Sequence, residues 1–151
     1  MNNEFKETKI NDKNSLEYKV LWEAYTEDAF TGKYLNHFPK NGYYGCKSCG
    51  NPLYSWKAKF DSKCGWPAFD KCFINSIKIN QNDVDKHKIG IEILCNKCNA
   101  HLGHIFKSKK GRSNQRHCVN SISIKYYKIK QTYQETDIKI VKTKTIKKNG
   151  I

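Results

Sequence analysis

Cys46-Lys47-Ser48-Cys49 and Cys95-Asn96-Lys97-Cys98 are the stretches on which the fold of this chain turns. Each CxxC brings two sulfurs of one tight turn toward the same point. Two such turns complete a tetrahedral S4 site of the kind that holds zinc, with Zn–S bonds of about 2.3 Å. A redox disulfide of the thioredoxin type is the alternative for either pair, but two matched copies without a βαβ pattern favour the metal. The interval from Cys49 to Cys95 is far longer than in a minimal zinc ribbon, so the ion is expected to pin two distant parts of a β domain. Protein fills all four positions, which makes the expected zinc structural and closed to substrate.

The pattern around the knuckles is mainly β. Asn14 followed by Glu17 resembles a capping box, opening a short helix with Leu16, Val20 and Ala24 on one face. Residues 29–34 read as a turn into an extended segment. Tyr43-Tyr44 leads into the first knuckle and Leu53-Tyr54-Ser55-Trp56 leads out of it. Residues 73–79 and 119–124 alternate like strands, and residues 89–94 form a strand entering the second knuckle. A polar loop spans residues 80–88, and residues 137–141 suggest one last edge strand. The expected organisation is a polar segment at 1–14, one domain at 15–130 and a basic tail at 131–151.

At 151 residues the chain is the size of one domain, and its 38% apolar fraction is modest and rich in aromatics, with nine Tyr, seven Phe and three Trp. A structural metal would help such a chain hold together. No apolar run approaches the roughly 20 residues of a membrane span. The start, Met1-Asn2-Asn3-Glu4-Phe5-Lys6-Glu7, is polar and carries acids, unlike a signal or transit peptide. The expectation is a cytoplasmic protein without a membrane partner, where cysteines serve as ligands or catalysts more often than as permanent disulfides.

The formal charge of +14 invites a nucleic-acid reading. From Lys125 to Ile151 there are eight Lys against Glu135 and Asp137, yet Lys is abundant throughout and the only arginines are Arg112 and Arg116. A chain-wide bias of this kind describes a solvated basic surface rather than a specific nucleic-acid face, with loose association to polyanions at low salt. A zinc-ribbon-like binding module remains the competing class. The residues around Cys118 discriminate, because a binding module has no need of them.

Of the seven cysteines, Cys64, Cys72 and Cys118 are left once the knuckles are counted. Arg116 and Cys118 are two apart, so on a strand they share a face, and the guanidinium would favour the thiolate. Asn120 falls on that face too and could donate a hydrogen bond, while His117 points the other way. A buried inert Cys on a strand is the blander possibility. His101 and His104 flank Gly103 just past the second knuckle; they could bind metal, or hydrogen-bond a polar ligand and exchange protons with it near neutral pH. In Cys64-Gly65-Trp66-Pro67-Ala68-Phe69, Gly and Pro around Trp66 make a rigid turn that could present the indole, or simply bury it with Phe69.

Cys64-Gly65-Trp66-Pro67-Ala68-Phe69, Ala100-His101-Leu102-Gly103-His104-Ile105-Phe106 and Arg116-His117-Cys118-Val119-Asn120-Ser121 together resemble the methionine-R-sulfoxide reductases, the MsrB family. They stand in the family's order, with both knuckles in place. The resemblance reaches back to Glu23-Ala24-Tyr25-Thr26-Glu27-Asp28-Ala29-Phe30-Thr31-Gly32. It implies an Mss4-like, MsrB-type β fold of two antiparallel sheets with short N-terminal helices. It also implies a reaction: Cys118 attacks the sulfur of methionine sulfoxide in a peptide or protein and becomes a sulfenic acid. His101 and His104 position and protonate the oxygen, Arg116 activates the nucleophile and Asn120 orients the pocket. Trp66 and Phe106 wall the substrate methyl group. Cys64 resolves the sulfenic acid as a disulfide that a thioredoxin-type donor reopens, the enzyme acting as a monomer. Cys72 matches no role.

Two positions depart from the family's pattern. His117 stands where Tyr usually precedes the nucleophile. Lys107-Ser108-Lys109-Lys110-Gly111 stands where acidic residues and a Gly-Pro turn usually follow the histidines, so substrate preference or pH optimum is expected to differ.

Overall fold

Short runs with alternating inward and outward side chains close into two antiparallel sheets. The computed structural model describes residues 12–84 and 90–130. One sheet has the order β2-β1-β9, from β1 (Tyr43–Cys46), β2 (Pro52–Ser55) and β9 (Ile124–Tyr127). The other has the order β3-β4-β8-β7-β6-β5, from β3 (Lys59–Phe60), β4 (Ala68–Phe69), β5 (Ile77–Ile79), β6 (Ile91–Cys95), β7 (His101–Lys107) and β8 (Gln115–Val119). Tyr44, Leu53, Tyr54, Phe69, Ile93, Leu102, Val119 and Ile124 form the core that the sheets share. Tyr54 stacks on Phe69 with ring centroids 4.1 Å apart. Such a pair adds roughly 1 kcal/mol beyond area burial, which counts in a chain short of aliphatic side chains.

Helix α1 (Leu16–Glu23) begins one residue later than the Asn14–Glu17 pattern implied. Ser15 is the cap, its Oγ accepting from the Tyr18 amide at 3.1 Å, while Asn14 donates back to Asp12 Oδ1 at 3.0 Å. The buried face is Val20 and Leu21, which pack on β7 and the turn at residues 121–123. Leu16 is exposed, and Ala24 ends the helix in the left-handed region at φ 56°. A helix of two turns can bury only the residues nearest its contact.

Three other boundaries moved for identifiable reasons. After residue 29 the chain turns twice instead of extending, because Phe30, at φ 64°, donates its amide to Gly65 O at 2.8 Å and so ties this segment to the Cys64 loop. The run 73–79 becomes strand only from Ile77; Asn75 at φ 57° closes a turn, with Ser76 N donating to Phe73 O at 3.1 Å. The run 119–124 is broken by a 3-10 turn at Ser121–Ser123, where the chain leaves the larger sheet for the smaller one. Helix α2 (Gln81–Val84) lies within the expected loop. The expected strand at 137–141 and the rest of the tail fall outside the described residues, as do residues 1–11. No described helix is long and apolar enough to cross a membrane.

Candidate active site and metal centre

The two knuckles meet. Cys46 ends β1 in the smaller sheet and Cys95 ends β6 in the larger one, and the sulfurs of Cys46, Cys49, Cys95 and Cys98 all lie within 4.8 Å of one another. Cys46 and Cys98 approach to 3.6 Å, as do Cys49 and Cys95. A tetrahedron with 2.3 Å metal–sulfur bonds has sulfurs about 3.8 Å apart, so the donor set fits a tetrahedral thiophilic ion. Asn51 Nδ2 and backbone amides in both turns point at the sulfurs, which favours thiolates. The Cys46–Cys95 hydrogen bond draws Cys95 down to about 4 and pushes Cys46 far up. Four thiolates cannot coexist here without a cation.

The reactive residues are gathered by strand register. Cys118 on β8 lies directly opposite His104 on β7 and Ala68 on β4, and Arg116 opposite Phe106. His104 in turn faces Glu92 on β6. Paired residues of neighbouring strands share a face, so Arg116, Cys118, Phe106, His104 and Glu92 stand together. His101, three residues before His104, should by simple alternation point away. It does not, because β7 carries a bulge: Ile93 pairs with Gly103 and Leu94 with His101, leaving Leu102 as the extra residue. The two imidazoles consequently meet with ring centroids 5.5 Å apart. The carbonyls freed at the bulge are taken up, Leu102 O by the amide and Nδ2 of Asn120 at 2.9 and 3.1 Å, and His101 O by Ser123 Oγ at 2.8 Å. Gly103 is required beside the bulge, since a Cβ there would overlap the Cys118 carbonyl oxygen.

Cys64 and Cys118 are free thiols with sulfurs 3.1 Å apart. The hydrogen bond between them dominates both: it draws Cys64 down to about 5 and pushes Cys118 up, while Arg116 pulls both down. The pair therefore gives up one proton well below an ordinary thiol and retains the other, sharing a single negative charge beside a guanidinium. Arg116 lies over the Phe106 ring at 4.9 Å, and its Nε is buried without a partner. His101 bonds Glu92 Oε2 through Nδ1 at 2.6 Å, which leaves Nε2 buried and unpartnered. Burial lowers its pKa against the opposing pull of Glu92. Cys64 Sγ approaches Trp66 O at 3.3 Å, and Trp66 Nε1 donates to Glu27 O at 3.0 Å.

Asn120 occupies a different place from the one its spacing suggests. It is buried, with Oδ1 accepting from the Glu27 amide at 2.9 Å and Nδ2 spent on Leu102, so it holds the loops around the site in place. Glu27 and Glu92 went unassigned in the sequence. Glu27 is buried, accepts from the Ile122 amide at 3.1 Å and anchors Trp66. Glu92 becomes visible only when β6 and β7 are paired. Cys72 packs half-buried against the core, away from these contacts, and burial raises its pKa.

His117 faces the core as expected from its parity, bonded through Nδ1 to Tyr54 OH at 2.9 Å. Burial, weakly opposed by Asp70, draws its pKa to about 4. The unfolded imidazole titrates near 6.5, so the unfolded chain takes up the proton first as pH falls. The stability that neutral His117 contributes is thus complete above about pH 6.5 and is lost between 6.5 and 4. Urea unfolding at pH 7 and pH 5 should show a loss of roughly 2 kcal/mol in the wild type that His117→Gln largely removes. Identical pH dependence in both proteins would rule His117 out as its source.

The SelR domain matches residues 14–128. A peptide methionine sulfoxide reductase MsrB of Bradyrhizobium diazoefficiens is 43% identical over 110 residues, which is 73% of this chain and 78% of that protein. This chain belongs to the MsrB family. The MsrB of Thiobacillus denitrificans is 40% identical over 111 residues, 74% of this chain and 83% of that one. That of Acinetobacter baylyi is 40% identical over 121 residues, covering 80% and 86%. The MsrB match runs from α1 to β9 and so includes both knuckles and the whole reactive face. Among solved structures, the Mis18 "Yippee-like" domain overlays with TM-score 0.47 at 14% identity, over 61% of this chain and all of that one, a partial likeness that does not bear on the family.

Proposed function

We propose that this protein reduces methionine-R-sulfoxide in peptides and proteins, with Cys118 as nucleophile, Cys64 as resolving thiol and a thioredoxin-type dithiol as reductant. The observation that carries the reading is the thiol pair at 3.1 Å on the strand face that also presents Arg116 and His104. Moving the shared proton to Cys64 leaves the charge on Cys118, beside Arg116. The Cys118 sulfur attacks the sulfoxide sulfur and the S–O bond breaks. His101, held by Glu92, and His104 protonate that oxygen as it passes from the substrate sulfur to the Cys118 sulfur; the transient bond between the two sulfurs breaks with its electron pair leaving on methionine, and Cys118 holds the oxygen as sulfenic acid. With the Nδ1 proton spent on Glu92, the unpartnered Nε2 of His101 can donate to that oxygen only when the imidazole carries both protons. Cys64 then attacks Cys118, expelling water and forming a disulfide, and an external dithiol reduces it by exchange. Trp66 and Phe106 would bound the methyl group, and Asn120 acts through the loops it fixes.

Zinc is the ion proposed for the four knuckle cysteines. Its role is to hold β1 and β6 together, and no chemical step passes through it.

Cys64→Ser tests the sequence of steps. With thioredoxin as sole reductant it should release one equivalent of methionine per protein from the R epimer and then stop, leaving the S epimer untouched. Continued thioredoxin-driven turnover would remove Cys64 from the resolving role, and reduction of the S epimer would overturn the stereochemical assignment.

A further inference from the structure

The hairpin loop between β7 and β8 is folded down onto the segment that carries Cys64. Lys110 Nζ donates to Ser62 O at 3.0 Å, and Ser62 Oγ accepts from the Cys64 amide at 3.3 Å. Arg112 bonds Asp70 Oδ2 through Nε at 2.8 Å and also reaches Lys57 O, and Ser113 Oγ reaches Asp70 O. Gly111, at φ 83°, rests on the Phe60 ring. Within the loop, Lys110 N bonds Ser108 Oγ at 3.1 Å and Ser108 N bonds Asn114 O at 3.0 Å. The loop is therefore tied at several points, and the Lys110 ammonium is held beside the segment that carries Cys64.

Those charges are not neutralised locally. Asp70 is committed to Arg112, and Asp61 to Lys63 at 2.9 Å. Glu27 is buried against the Ile122 amide and Glu92 is bonded to His101. Among the described residues no carboxylate forms an ion pair with Lys107, Lys109 or Lys110, and all three are exposed. Ser62 is only two residues from Cys64, so the Lys110 ammonium lies within roughly 10 Å of the Cys64 sulfur, about one Debye length at 0.1 M salt. Beside this segment, Phe30, Leu35, Phe60, Lys63 and Trp66 line a cleft of about 250 Å³. Phe60 is shared between the cleft and the loop, so the basic edge and the cleft are continuous.

We propose that this edge selects its polypeptide substrate by charge: Lys109 and Lys110 favour a methionine sulfoxide flanked by aspartate or glutamate. The proposal rests on the reductase reading and adds the class of peptide to it. A negative side chain beside the sulfoxide meets uncompensated ammonium groups on approach, whereas a lysine-flanked peptide is repelled.

The test compares kcat/KM for three substrates in the R configuration: a neutral N-acetyl-methionine sulfoxide amide, and otherwise identical short peptides with Asp or Lys on both sides of the sulfoxide. The Asp peptide should exceed the Lys peptide by about tenfold at low salt, and the ratio should collapse toward one at high salt. In the double variant Lys109→Gln with Lys110→Gln the ratio, taken within the variant so that a general loss cancels, should fall severalfold. If the neutral amide is reduced but the two peptides react equally, the charge-selection proposal is wrong while the reductase reading stands. If the neutral amide is not reduced at all, the reductase reading itself fails. A single-stranded oligonucleotide that inhibits the neutral amide as strongly as the Asp peptide does would mark the edge as a general polyanion surface and overturn the peptide assignment.

Discussion

Cys118→Ser is expected to stop reduction of methionine-R-sulfoxide, a fall of at least about 10,000-fold in kcat. A serine hydroxyl ionises far above a thiol, and the field of Arg116 that helps a sulfur carry charge cannot bring it into range. The oxygen-bearing intermediate and the disulfide with Cys64 would also have no sulfur to form on. Dabsylated methionine-R-sulfoxide with thioredoxin, followed by chromatography of the reduced product, reads this directly. The substitution shortens one side chain that is only 8% exposed and leaves the β4–β8–β7 ladder untouched. Circular dichroism should therefore match the wild type. A folded Cys118→Ser protein that still turned over at a comparable rate would refute the assignment of the nucleophile.

Removing the metal should be the most damaging change to stability. The four sulfurs come from the ends of strands in different sheets, and Cys46 and Cys95 are completely buried. Structural zinc in small domains contributes on the order of 10 kcal/mol of apparent binding free energy, comparable to the whole stability of a domain. Prolonged treatment with a strong chelator, or Cys95→Ser, is expected to lower Tm by more than about 15 °C, with zinc released at one equivalent per chain. The loss of activity should follow unfolding rather than precede it, because no ligand position is open to substrate. An unchanged Tm after complete chelation would contradict the staple.

Much of the site was legible because its chemistry is carried by rare residues at fixed spacing. The CxxC pairs, the Arg116–Cys118 parity and the inward turn of His117 all follow from geometry within a few residues of one another, and the described residues keep them. Asn120 shows the limit of that reasoning. Parity puts it near Cys118, but the strand ends at Val119 and the side chain is drawn to Glu27 and to the carbonyl exposed by a bulge on another strand. The capping of α1 shows the same limit on a smaller scale: Asn14 and Ser15 are both competent caps, and only the path of the chain at Asp12 decides between them.

The sequence by itself determined the two cysteine pairs of the knuckles, the placing of Arg116 and Cys118 on one strand face, and the mainly β character of the chain. Each depends on residue type and short-range periodicity. Tertiary structure alone decided that His101 and His104 share a face, that Glu92 holds one of them, and that Cys64 reaches Cys118 across 54 positions of sequence. It also decided that a basic hairpin lies against the loop that carries Cys64. The physical reason is that facing and contact in a sheet are set by register, and one bulged residue at Leu102 reverses the parity on which any sequence-based reading of β7 must rely.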